Sequence, residues 1–291
     1  MLPRALPLPA VVSPVASLVR RDLALTLLAL LGLLAWDASG ADLAASRLVA
    51  DGHGFAWRDA WLTSHLLHDG GRWLAGGVLA WLLLDLLRPS ARHRLTRQVR
   101  AAWAGVVLAS LLLVPSLKRV SLSSCPWDLA DFGGAASYVS HWQWGVADGG
   151  PGHCFPSGHA VAAFAFFGLY FQWRAVAPAR ARAWLVGTLV LGAAFGAAQW
   201  LRGAHFVSHT LWTAWICWLL AVAAAHAPRA AGVLGRGLAR IRLVVPGLRP
   251  AAPASPAAPA AAAPRPAPAA ARRGRRAGRR RSAARSGGRR R

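Results

Sequence analysis

An all-α, polytopic membrane helix bundle of about six transmembrane helices is the fold class the sequence predicts, on three observations. The chain is 55% hydrophobic and only 15% charged over 291 residues. Its apolar residues gather in blocks close to the roughly 20 residues that cross a bilayer. The segments between the blocks alternate between basic and acidic, as inner and outer loops do.

Spans are expected near 22–36, 72–88, 100–117, 159–173, 183–201 and 205–225. The first is short, and residues 11–19 extend it. An alternative makes it a signal peptide, with Arg20 and Arg21 as its charged region and Ala38-Ser39-Gly40 as the cleavage site. Arg4, Arg20 and Arg21 precede the first span. Segment 37–71 carries Asp37, Asp42, Asp51, Asp59 and Asp69, whereas 88–100 carries Arg88, Arg92, Arg94, Arg97 and Arg100. Segment 118–158 is again acidic, with Asp128, Asp131 and Asp148, and Arg174, Arg180 and Arg182 follow the fourth span. This alternation places both termini inside, and 118–158 and the turn 202–205 together outside. Trp36, Trp73, Trp173, Trp184 and Trp200 fall near span ends, as interfacial anchors do. Asp85, near the inner end of the second span, is expected to pair with Arg88.

Three regions are expected: 1–69, an N-terminal segment with the first span and an outer loop; 70–226, the membrane domain that carries the chemistry; and 227–291, a tail. The net charge of +24 sits largely in that tail. Residues 250–271 are a Pro/Ala run and 272–291 are Arg, Gly, Ala and Ser, which cannot build a core and are expected to be disordered. A basic tail inside a membrane is expected to lie on anionic lipid headgroups, at about 1 kcal/mol per basic residue. No specific nucleic-acid partner is expected.

Two segments carry chemistry. Cys154-Phe155-Pro156-Ser157-Gly158-His159 opens one apolar block, with Ser157 as a cap and the Ser157, Gly158 and His159 amides free to face an anion. Gly158 admits a phosphate close to the backbone, and His159 is placed to act as a general acid. Arg202, His205 and His209, at i, i+3 and i+7, are expected on one face of the last helix. Arg202 would grip phosphate in two prongs, His205 would attack phosphorus, and His209 would hold its other ring nitrogen. Lys118, the only lysine, ends the third span at the same outer face. The outer-loop histidines His53, His65, His68, His141 and His153 match no compact metal-ligand spacing. They are expected in solvent, His141 and His153 at the mouth of the site.

Lys118-x6-Cys125-Pro126, Pro156-Ser157-Gly158-His159 and Arg202…His205-x3-His209 resemble the three-part signature of the type 2 phosphatidic acid phosphatase (PAP2) superfamily: Lys-x6-Arg-Pro, Pro-Ser-Gly-His and Ser-Arg-x5-His-x3-Asp. The resemblance covers about residues 70–225, and Cys125-Pro-Trp-Asp-Leu with Phe132-Gly-Gly resembles a bacterial subgroup that carries Cys in the first motif. It implies a PAP2-type core in a bacterial inner membrane, with the site facing outward. It implies a phosphatase acting on a lipid phosphate or pyrophosphate through a phosphohistidine, with no metal and no cofactor. By the same resemblance Lys118, Ser157 and Gly158 bind phosphate, His159 protonates the leaving group and His205 is the nucleophile.

Two motifs depart from the family. Cys125 replaces an arginine, for which Arg119 is a candidate substitute. His209 replaces the carboxylate, and the family's arginine position falls on Gln199, one turn before Arg202. A second alignment makes His209 the nucleophile and puts Thr213 in the carboxylate's place. A lipid phosphotransferase and an inactive headgroup-binding protein remain alternative functions. Cys125 and Cys154, one beside each of two motifs, are placed to form a disulfide; Cys217 is expected to be packing.

Overall fold

The computed structural model describes residues 14–51, 53–87 and 94–244. Residues 227–244 of the expected tail are the end of the last helix, and 245–291, Arg4, Arg88 and Arg92 lie outside the described residues. Residues 1–241 form one compact unit and 242–291 a second, of which only the last residues of a helix are described.

The described residues are helical, without a named strand. α1 (Pro14–Ala38) turns into α2 (Ala41–Arg47) at Gly40, a left-handed residue. A π-helical segment (Leu62–Asp69) runs into α3 (Gly70–Leu87). α4 (Arg97–Val120) begins at Thr96, whose hydroxyl accepts from the Val99 amide at 3.3 Å. α5 (Val161–Phe164), α6 (Phe167–Trp173), α7 (Pro178–Leu201) and α8 (Val207–Val244) follow.

Four helices are long and apolar enough to cross a membrane, and five if α1 and α2, bent by 68°, count as one span. The expected span at 159–173 is instead a short, broken helix, because residues 157–160 are a turn and 165–166 interrupt the rest. Its side chains are buried almost throughout, and Phe164, Phe167, Leu169 and Phe171 form the centre of the main core. α6 packs on α7 and α4, and α5 on α7, α3 and α4. Small residues permit these approaches: a Cβ at Gly71 would sit 2.8 Å from the Phe195 ring, and one at Gly196 would strike Thr210.

α8 is fastened to α1 by indole N–H groups, which need partners when they leave water. Trp218 donates to the Thr26 hydroxyl (2.9 Å), Trp215 to the Thr26 carbonyl (3.0 Å) and Trp212 to Asp37 (2.9 Å). The expected interfacial tryptophans divide. Trp73 is 81% exposed, as an anchor would be, but Trp173 is buried, Trp36 donates to Asp42 and Trp200 to the Ala45 carbonyl. Trp36 and Trp200 each have an acceptor within reach, and Trp173 lies under the Arg180 guanidinium.

Charges inside the bundle are paired, as their desolvation demands. Asp85 pairs with Arg100 across α3 and α4 (2.6 Å); Arg88, its expected partner, lies outside the described residues. Asp22 on α1, fully buried, takes Arg174 at 2.5 Å and His226 at 3.0 Å.

Candidate active site

The first half of the site is assembled by the segment after α4. Residues 121–124 run beside 152–155: the His153 amide donates to the Ser121 carbonyl (2.8 Å) and the Cys154 amide to the Ser123 carbonyl (2.9 Å). That pairing sets Cys125 against Cys154, and the two are joined in a disulfide. Asp148 is not a free outer charge. It is buried and accepts from the Ser124 amide (2.5 Å) and hydroxyl (2.8 Å) and the Gly150 amide (3.0 Å).

The Pro-Ser-Gly-His segment is a turn, not the first turn of a helix; α5 starts only at Val161. Its place is fixed by α8. The Ser157 amide donates to the His209 carbonyl (3.1 Å) and the Thr213 hydroxyl donates to the Ser157 carbonyl (2.9 Å). The expected trio of free amides is therefore reduced to Gly158 and His159, which donate to no protein group among the described residues. Thr213 holds the cradle and stands with no ring nitrogen, so it does not fill the role of the missing carboxylate. Lys118 lies directly against Gly158: a Cβ there would be 2.9 Å from its Cδ. Gly158→Ala is expected to push the lysine aside and raise KM about tenfold, the order of one hydrogen bond to a charged group, with no change in thermal midpoint. Steady-state kinetics beside a melting curve checks this.

The second half is not one helix face. Gly203, with φ +68°, ends α7, as left-handed glycines do. The Ala204 and His205 amides then donate back to the Gln199 carbonyl (2.9 and 3.2 Å). Arg202 and His205 lie in this turn, and only His209 is on α8. Arg202 Nε donates to the Arg58 carbonyl (2.8 Å) and its guanidinium lies over Trp127, while its Nη1 is buried without a hydrogen-bond partner among the described residues and its charge reaches His159. Arg119, the substitute for the first motif's arginine, is exposed on α4. The start of α8 is capped by Asp42, which accepts from the Ser208 amide (3.0 Å) and hydroxyl.

His205 is 5% exposed and His209 1%, with ring centroids 5.8 Å apart. His205 Nδ1 stands 3.5 Å from Cys154 Sγ. Burial, with the Lys118 charge and His209 next, holds the His205 imidazole well below its ordinary pKa, which favours the neutral ring. His159 Nε2–H donates to the Leu67 carbonyl (3.0 Å), since a carbonyl only accepts. Its ring stacks on His68 at 4.6 Å, and burial, with His68 next, pushes its pKa down to about 4.

The unfolded His159 titrates near 6.5 and the folded one near 4, so between these values the unfolded chain holds more protons. Stability rises with pH across that window and is lost as pH falls toward 4. His159→Gln is expected to flatten this slope in melting curves taken from pH 4 to 7.

Two histidines expected in solvent belong to this region. His68 is carried against His159 by the π-helical segment. His141 stacks on Phe155 at 4.1 Å, with Nε2 3.3 Å from Asp37. His53, His65 and His153 are exposed, as expected. Asp42 has no sequence signal, because its partner Ser208 is 166 residues away. Cys125, Cys154 and His205 place three ligand atoms within 4.8 Å, but a disulfide offers no thiolate to a metal.

Apolar helices of membrane-crossing length point to a membrane-embedded helical protein, with a buried set of imidazoles beside a lysine and two free amides. Residues 99–232 match the family model of the PAP2 superfamily, a superfamily that generally comprises phosphatases. The match includes Lys118, Ser157, Gly158, His159, Arg202, His205 and His209. No curated protein and no solved structure matches the chain.

Proposed function

We propose that this protein is a membrane phosphatase that hydrolyses a lipid phosphate or pyrophosphate at the outer leaflet through a phosphohistidine, with no metal taking part. One observation carries the reading: Lys118, the Gly158 and His159 amides and His205, from three distant segments, converge on one cradle.

With His205 Nδ1 turned to Cys154, Nε2 attacks phosphorus as the P–O bond to the lipid breaks. Lys118 and the two amides neutralise the equatorial oxygens. His159, whose Nε2–H is held by Leu67, uses Nδ1: it takes a proton when the anionic substrate binds and gives it to the leaving oxygen. Water then attacks phosphorus, His159 Nδ1 takes its proton, and the P–N bond breaks to release phosphate. His209 packs behind the nucleophile. An apolar cavity of about 370 Å³ lies along α7, lined by Leu74, Val78, Ala162, Phe166, Arg180 and Trp184, and its apolar walls support a lipid as the substrate.

The test is phosphate release from a panel of lipid phosphates in detergent with chelator. Release that survives chelation supports the reading. Transfer of label to a lipid acceptor in place of water would make the protein a phosphotransferase, and no turnover with retained phosphate binding would make it a headgroup-binding protein.

A further inference from the structure

The third motif lacks the carboxylate that would orient the nucleophile, and the structure shows what stands in its place. Cys154 presents its Sγ to His205, 3.5 Å from Nδ1. A disulfide sulfur carries no proton and can only accept, which keeps the proton on Nδ1 and the lone pair on Nε2, the tautomer that attacks. Cys154 is in turn fixed by its bridge to Cys125 and by the amide bond to Ser123. Both sulfurs are buried, so the bridge forms the back wall of the site and not a surface staple.

We infer that Cys154, locked by the disulfide to Cys125, is the positioning residue for His205, taking the place of the absent carboxylate. This rests on the phosphatase reading for its kinetic consequence, though not for its geometric one. Loss of the bridge frees residues 153–155 to shift and lets the His205 ring turn. A displacement of that order costs about 10²-fold in rate.

The experiment compares full-length wild type with Cys125→Ala, which breaks the bridge and leaves Cys154 in place. The first readout is the rate at which diethyl pyrocarbonate modifies His205, read by tandem mass spectrometry against exposed His153. The expected result is at least about tenfold faster modification of His205 in the variant, with unchanged helical circular dichroism. The second readout is phosphate release, in which kcat falls about 10²-fold and KM stays constant. Equal protection of His205 in both proteins overturns the inference. Loss of helicity in the variant also overturns it, by showing a staple of the whole fold. Faster modification with no phosphate release from either protein supports the positioning role and removes the phosphatase reading.

Discussion

Replacing His205 by Ala is expected to lower turnover by about four to six orders of magnitude, the loss seen when the covalent nucleophile of a catalytic set is removed. The helical signal and phosphate binding should survive. Lys118 and the Gly158 and His159 amides do not depend on the imidazole, and the turn 202–206 is held by backbone bonds to Gln199. The measurement is single-turnover phosphate release together with acid-sensitive, base-stable labelling of the protein by labelled substrate. Wild type should label on residue 205 and the variant should not. If His205→Ala keeps its label and His209→Ala loses it, the nucleophile is His209 and the second alignment of the third motif holds. The geometry argues for His205. Its Nδ1 has a neighbour that can set the tautomer, whereas His209 is enclosed by Phe155, Phe206 and His141.

The largest expected loss of stability lies at the other end of the bundle. Asp22→Ala is expected to destabilise the protein by about 3–5 kcal/mol, because it leaves the guanidinium of Arg174 with no counter-charge in a desolvated site. Asp22 joins three elements: its own α1, Arg174 at the end of α6, and His226 on α8. Arg174 retains Phe171, with its guanidinium 4.4 Å from the ring centroid, and that contact cannot replace a carboxylate. Replacing Asp22 and Arg174 together by apolar residues should recover much of the loss, since no uncompensated charge then remains. Denaturant unfolding in detergent, followed by tryptophan fluorescence, measures both. A single variant as stable as wild type would show that Asp22 is hydrated and the pairing incidental.

Much of the site was legible because phosphate chemistry restricts the residues that serve it. Lys118, Gly158, His159, His205 and His209 can be picked out from short motifs, and the structure brings them together. The pairing of Cys125 with Cys154 was suggested by their placement alone and is present. Helical periodicity misled at Arg202, since spacing of i, i+3 and i+7 means a shared face only if one helix runs through all three positions. Gly203 breaks it, so Arg202 is placed by a turn, where Arg58 and Trp127 hold one side of its guanidinium and Nη1 is left without a partner among the described residues. The segment expected as a span at 159–173 is a shorter helix, interrupted at 165–166 and buried among its neighbours. An apolar run records burial but not what surrounds it, and here the surroundings are other helices.

Composition and the spacing of apolar blocks determined by themselves that this chain is a helical bundle of membrane-crossing length, because a bilayer leaves few other ways to satisfy the backbone. The motifs determined which side chains could handle a phosphoryl group. Only the tertiary structure decided how those side chains are held: Asp42 capping α8, His68 stacked on His159, Leu67 fixing the His159 tautomer, and Cys154 behind His205. Each of these contacts joins residues distant in sequence through one or two hydrogen bonds or a ring face, and such pairings leave no periodicity to read before the helices pack.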